Sequence, residues 1–216
     1  MYKFVQAFTR ITAWPVQALA FRTKYHYEDK RVQGRRIKGA AIIISNHTSV
    51  YDFAVMLFTF PCRTLRYLMA EVLFKKKGLR GFLRAMGGVM VDRDSYDFAF
   101  LEKCKEILDK KGVVGIFPEG RLPLKGEERP IPFTPSAAYL ALMSGAPIIP
   151  VYTSGNYFRK KRAHVIIGKP IDVTALTDDT LSEKDNIQKV NQHLRNRIIE
   201  LEHELQRQID KKTKKE

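Results

Sequence analysis

Cysteine is almost missing: Cys62 and Cys104 are the two in 216 residues. They are too few for a disulfide scaffold, and without a histidine nearby they make no zinc site. A reducing compartment is therefore expected. Acidic residues are also in deficit, 23 against 38 Lys+Arg, for a net charge of +15. That imbalance points to an anionic partner, which can be nucleic acid, a membrane surface or a phosphorylated small molecule. With 13 Gly and 10 Pro the chain is neither collagenous nor low-complexity. Uninterrupted apolar runs are lacking too. Residues 130–158 carry no charge and are long enough to span a bilayer, but Pro132, Pro135, Pro147, Pro150, Gly145 and Gly155 break them. Residues 1–21 lack the basic start and continuous apolar run of a signal peptide, so a chain neither secreted nor membrane-spanning is expected. There is no Gly-x-Ser-x-Gly for a serine acyl-enzyme, and Gly87-Gly88 is no dinucleotide fingerprint.

What is present is one domain's worth of core, 44% hydrophobic. Strand-length apolar runs fall at 40–45, 66–70, 89–91, 112–117, 146–152 and 163–168, with helical patterns at 50–60, 79–85, 96–110 and 136–144. Short strands separated by helices predict a single α/β domain: a mixed, mostly parallel sheet with helices packed on its faces. Ile42, Ile43 and Ile44 do not alternate with polar residues, as expected of a strand covered on both sides. An amphipathic helix is expected over 2–19, interrupted at Pro15. A long C-terminal one is expected over 182–211, its stripe from Ile187 to Ile209 packing on the domain or on a second chain. The predicted organisation is an N-terminal membrane-contacting segment (1–30), the α/β domain (31–180), and a C-terminal helix with a basic tail (181–216).

The chemistry gathers at the end of the first core strand, in Asn46-His47-Thr48-Ser49-Val50-Tyr51-Asp52, the edge where α/β sheets build their sites. Ser49 can cap a helix beginning at Val50. Five residues along a continuous helix turn about 500°, which leaves the side chains of 47 and 52 about 140° apart. His47 therefore meets Asp52 only if it stands outside the helix and folds back over its N-terminus. The carboxylate then accepts Nδ1–H and leaves Nε2 as a base. The same residues also read as a capping box in which Asp52 is structural.

Three further blocks follow. Gly87-Gly88-Val89-Met90-Val91-Asp92-Arg93 delivers a cation after a short strand. Phe117-Pro118-Glu119-Gly120-Arg121 does so again, with Gly120 allowing a tight backbone, and Ala146-Pro147-Ile148-Ile149-Pro150-Val151 is a rigid apolar strand. Singly, these read as an exposed ion-pair cluster, an ordinary turn and an edge strand. In this order, after 46–52, they resemble the glycerolipid acyltransferase family and are most similar to its bacterial lysophosphatidate (1-acyl-sn-glycerol-3-phosphate) acyltransferases, over about residues 40–152. The third block departs from the family pattern, because no Thr stands between Gly120 and Arg121.

The resemblance implies that His47 is a general base, oriented by Asp52 and supported by Asn46 and Ser49. It would take the proton of a glycerol hydroxyl that attacks an acyl thioester directly, without an acyl-enzyme. Arg93, Glu119, Gly120 and Arg121 would bind the acceptor's phosphate and glycerol. A carboxylate cannot bind phosphate itself, so Glu119 falls to a hydroxyl or to holding a neighbouring cation. Acyl-CoA or acyl carrier protein would be the donor. The acceptor would be 1-acylglycerol 3-phosphate, another lysophospholipid or glycerol 3-phosphate, and neither cofactor nor metal is implied. Met86, Met90, Phe133 and Tyr139 lie near the blocks as acyl-pocket or core residues. The surplus charge then has a use. Lys75, Lys76, Lys77, Arg80 and Arg84 surround Phe74, Leu79, Phe82 and Leu83, and the N-terminal helix carries Phe4, Phe8 and Trp14. A third cluster is 159–162. Each is either a contact with an anionic bilayer or a solvated face, and a peripheral place on the cytoplasmic face of the membrane is expected. A basic nucleic-acid-binding protein is the alternative that charge alone supports. The four-block order argues against it, and no nucleic-acid partner is expected. His26, His164, His193 and His203 have no partners at metal-ligand spacing and are expected to be structural or solvent-facing.

Overall fold

The computed structural model describes residues 1–92, 99–158 and 162–213. Along the chain come α1 (Tyr2–Val16), β1 (Lys24–Tyr27), β2 (Ala41–Ser45), α2 (Asp52–Thr59), β3 (Leu65–Ala70), α3 (Glu71–Lys75), α4 (Leu79–Ala85) and β4 (Val89–Val91). Then follow α5 (Ala99–Asp109), β5 (Val113–Ile116), α6 (Ser136–Ser144), β6 (Ile148–Thr153), β7 (His164–Ile167) and α7 (Glu183–Thr213).

The strands form one sheet in the order β1-β7-β6-β2-β5-β3-β4, and every adjacent pair is parallel except β6 with β7. The expected mixed, mostly parallel sheet is thus what forms. Ile42, Ile43 and Ile44 are all completely buried. Ile42 and Ile44 face the layer of α5, α6 and α7, while Ile43 faces the layer that holds Val55 and Met56 of α2. Burial on both faces is why β2 lacks alternation. Because β2 is parallel to both β5 and β6, the C-terminal ends of these three central strands open on the same edge, with later strands placed to either side.

Helix α7 packs on β6 and β7 through Val190, Leu194, Ile198, Leu201 and Leu205, so its stripe serves the domain itself. Ser182 starts it, accepting the Asp185 N–H at 3.2 Å, and Lys211 and Lys212 sit in its last turn, where cations favour the helix dipole.

Two expectations are corrected. Pro15 does not interrupt the first helix, which runs on through it. The missing N–H falls in the last α-turn, and a π turn over Gln17–Phe21 follows. Strand β1 lies within the stretch assigned to the N-terminal segment, yet it pairs with β7 in full register. Helix α1 packs by its polar side and leaves its apolar row outside, where the sequence reading placed it. Gln6 is completely buried, donating to the Leu65 and Met86 carbonyls at 2.6 and 2.7 Å and accepting the Leu65 N–H at 2.9 Å. Arg10 reaches the carbonyls of Leu57 and Arg63 at 2.9 and 2.6 Å. Phe4, Phe8, Ile11 and Trp14 are left outside, between 59% and 75% exposed. No helix among the described residues is long and apolar enough to cross a membrane.

Candidate active site

Where β2 and β6 end, the Asn46 side chain continues their pairing: its oxygen accepts the Thr153 N–H at 2.8 Å and its amide donates to the Thr153 carbonyl at 2.9 Å. This clamp fixes the next residue, His47, at the carboxyl edge of the sheet. The His47 backbone N–H donates to Glu119 Oε1 at 2.8 Å, its ring stacks on Phe117 at 4.4 Å and 11°, and Nδ1 lies 2.8 Å from Asp52 Oδ2. The fold-back over the helix N-terminus required by the spacing is therefore made. A carboxylate only accepts, so Nδ1 carries the proton and the lone pair stands on Nε2. Nε2 has no hydrogen-bond partner among the described residues.

Asp52 has no exposed surface, and a buried carboxylate is tolerated only when its oxygens are satisfied. Besides His47, its Oδ2 accepts the N–H groups of Thr48 and Ser49 at 2.6 and 2.9 Å. Oδ1 accepts the hydroxyls of Thr48 and Tyr157 at 3.0 and 2.6 Å. Five donors hold it in one orientation. This corrects the place of Ser49: the helix begins at Asp52 after Tyr51, with no side-chain cap, and the Ser49 hydroxyl accepts the Tyr51 N–H at 3.3 Å. The cap runs the other way, from the Asp52 carboxylate back to the loop N–H groups.

Glu119 is buried with both oxygens on backbone: Oε1 takes the His47 N–H, and Oε2 takes the Ile131 N–H at 3.1 Å. Burial raises its carboxyl above the ordinary range, offset in part by these two N–H groups and, to a smaller extent, by its neighbours His47 and Arg129. It binds the His47 loop to the segment before α6 and makes no ion pair among the described residues. Gly120, at φ +71°, closes the turn with its N–H on the Phe117 carbonyl at 3.0 Å. A Cβ there would lie 3.1 Å from the Thr134 methyl. Arg121 is exposed and forms a two-pronged pair with Glu127 at 2.7 and 2.8 Å. That guanidinium holds the Glu127 carboxyl down to about 2.

Phe117, Glu119, Gly120 and Arg121 line a cavity of about 470 Å³ together with Leu68, Val91, Phe100 and Ile116. Phe117 thus touches both the cavity and the His47 ring. Arg93, expected beside Arg121, lies outside the described residues, as do Arg159, Lys160 and Lys161. Met86, Met90, Phe133 and Tyr139 do not line this cavity: Met86 and Phe133 are core, and Met90 and Tyr139 are exposed. Of the basic cluster, Lys75 pairs with Glu71 at 3.0 Å. Phe74 and Leu83, which a bilayer contact through this cluster would have exposed, are buried. Thr48 and Tyr157 join the site without a signal in the sequence that marks them. Thr48 lies inside the 46–52 motif and turns its hydroxyl to Asp52, and Tyr157 reaches Asp52 from 105 residues away with no local signal.

A model of the family described as Acyltransferase matches residues 22–154. The 1-acyl-sn-glycerol-3-phosphate acyltransferase of Borreliella burgdorferi is 27% identical over 173 residues, covering 75% of this chain and 66% of that protein. Human 1-acyl-sn-glycerol-3-phosphate acyltransferase beta is also 27% identical over 173 residues, covering 77% and 60%. The chain therefore spans 60–66% of the length of these curated relatives. The crystal structure of the 1-acyl-sn-glycerophosphate (LPA) acyltransferase from Thermotoga maritima matches 93% of this chain and 79% of its own. Its TM-score is 0.60 at 21% identity, a likeness of fold.

Proposed function

This chain belongs to the Acyltransferase family, and we propose that it moves a fatty acyl group from an acyl thioester to the free hydroxyl of 1-acylglycerol 3-phosphate, giving phosphatidate and a thiol. The observation that carries the reading is His47, held by Asp52 at 2.8 Å with Nε2 open. Nε2 takes the hydroxyl proton as the oxygen attacks the thioester carbonyl. The C–S bond breaks as the new ester forms, and the proton passes from the imidazole to the departing sulfur. No acyl-enzyme is needed. The donor is acyl-CoA or acyl carrier protein, and the net charge of +15 suits the acidic carrier as it suits a membrane. Thiol release from palmitoyl-CoA and from palmitoyl carrier protein tests this. Release should require lysophosphatidate. If no lysophospholipid and no glycerol 3-phosphate stimulates it with either donor, the reading fails.

In this reading the apolar lining of the 470 Å³ cavity receives acyl chain, and Arg121 exchanges Glu127 for the acceptor's phosphate, which a guanidinium fork suits. Glu127→Gln, which frees the guanidinium, is expected to lower the KM for lysophosphatidate about threefold, the scale of an exposed ion pair. Arg121→Ala should raise it. Unchanged KM in both variants would place the phosphate elsewhere, with Arg93 the next residue to substitute.

The outward row Phe4, Phe8, Ile11 and Trp14 supports peripheral attachment at the cytoplasmic face of the membrane, with Lys76, Lys77, Arg80 and Arg84, all exposed, adding charge. Sedimentation with phosphatidylcholine vesicles should require added phosphatidylglycerol and weaken with salt. Replacing Phe4, Phe8 and Trp14 by Ser should abolish it. Salt-insensitive binding to neutral vesicles would contradict the electrostatic part of this picture.

A further inference from the structure

Two histidines that the proposed chemistry does not use, His26 on β1 and His164 on β7, stand side by side, His26 Nε2 to His164 Nδ1 at 2.9 Å. Their surroundings place the protons. Gln208 directs its amide N–H groups to the Tyr27 carbonyl at 3.0 Å and to Glu204 at 2.9 Å. Its oxygen therefore accepts from His26 Nδ1, at 3.3 Å. His26 Nε2 is then an acceptor, and His164 donates Nδ1–H to it. In the neutral pair, His164 Nε2 is the nitrogen left without a partner among the described residues.

Both rings line a cavity of about 530 Å³ between β1, β7 and α7. Three cations from three segments line it with them: Lys24 of β1, Arg162 ahead of β7, and Lys212 of α7. None of the three has an ion-pair partner among the described residues. The carboxylate in the lining, Glu202, is engaged by the Tyr152 hydroxyl at 2.7 Å. The Ser154 hydroxyl oxygen accepts the backbone N–H of His164 at 2.9 Å, which leaves its own proton to donate. Burial, the His26 ring and the charges of Lys24, Arg162 and Lys212 press His164 down to about 4. Three cations gathered around the buried His26 ring and the half-buried His164 ring, against the single carboxylate of Glu202, form a concave field of net positive charge.

We propose that this cavity is a phosphate-binding site, in which Lys24, Arg162 and Lys212 supply the field, Ser154 donates its hydroxyl, and His164 donates Nε2–H once protonated. Its ligand is a phosphate dianion, carried on a soluble phosphorylated compound or on a lipid headgroup. The site is separate from the His47 centre but shares a segment with it: Thr153 and Tyr157 hold Asn46 and Asp52, while Ser154 and Asn156 line the cavity. It does not depend on the acyl-transfer reading.

Nitrogen NMR of the histidine rings in the full chain tests it, with inorganic sulfate as a dianion whose charge does not titrate in the working range. Bound sulfate should raise the His164 midpoint by about 1–3 pH units, the usual effect of an opposite charge within reach. Because the bound midpoint lies above the free one, sulfate affinity should rise as pH falls from about 7 toward about 5, up to about tenfold per unit. His164→Gln should keep weak binding and lose that pH dependence. Lys24→Gln with Lys212→Gln, on a strand edge and an exposed helix end, should weaken binding at every pH. The same rise on adding inorganic phosphate assigns a soluble ligand. Binding seen only with phosphatidylcholine vesicles containing phosphatidate, and lost in the lysine variant, assigns a headgroup. A His164 ring unmoved by sulfate, phosphate and vesicles overturns the proposal, and so does a shift that survives the lysine substitutions, which would mark an adventitious ion only.

Discussion

His47→Ala is expected to slow lysophosphatidate-dependent thiol release about 10²–10⁴-fold, the usual contribution of a positioned proton acceptor, with the loss in kcat. Folding should survive. The ring is partly exposed, and its removal costs one hydrogen bond to Asp52 and one stacked face on Phe117, while the clamp from Asn46 and the His47 N–H to Glu119 stay in place. Asp52→Asn separates that effect from a structural one. An amide offers a single acceptor oxygen where five donors now converge, and turns N–H groups of its own toward them. Each buried donor left without an acceptor costs about 1–3 kcal/mol, so this variant should lose thermal stability as well as rate. A His47→Ala enzyme that still turns over at more than a tenth of the wild-type rate would remove the base from the mechanism.

The contrast between these two residues also explains how much could be read beforehand. The pairing of His47 with Asp52 was legible because it is local: a strand end, five residues and a helix start leave one way for the side chains to meet. The three buried isoleucines revealed the central strand for a similar reason, since a run without alternation fits only a sheet covered on both sides. What could not be read was set by distant partners. Tyr157 and Thr153 reach Asp52 and Asn46 across more than a hundred residues. The block Pro118-Glu119-Gly120 marks Glu119 as a candidate, but nothing in it tells that its oxygens seek the N–H groups of His47 and Ile131. Strand β1, with the sequence Lys-Tyr-His-Tyr, has no apolar run to mark it and takes its form from pairing with β7. Helix α1 misleads in the opposite sense. Its apolar row is plain in the sequence, but the residue that anchors it is Gln6, because the start of β3 presents the Leu65 N–H and carbonyl and the end of α4 presents the Met86 carbonyl.

Gly115→Ala is expected to be the most damaging single methyl in the sheet. Gly115 of β5 stands opposite Tyr67 of β3, whose fully buried ring lies across it. A Cβ on Gly115 would fall 2.2–2.5 Å from three ring carbons. The ring has no room to retreat, because Phe53 packs edge-on at 5.4 Å and Phe117 lies against it at 5.0 Å. Phe117 in turn carries the His47 ring, so a displaced Tyr67 displaces the base. Overpacking of this kind costs about 1–3 kcal/mol, which for a chain of this size is a fall in Tm of about 2–4 °C for each. The rate should fall further than stability alone explains, because misplacing a catalytic group by about 1 Å can cost about a hundredfold. Adding Tyr67→Leu to Gly115→Ala separates the two effects. The smaller side chain relieves the clash and should recover most of the Tm, but it cannot restore the aromatic support beneath Phe117, so kcat should stay low. If Gly115→Ala melts with the wild type and turns over at its rate, the stack from Gly115 through Tyr67 and Phe117 does not set the position of His47.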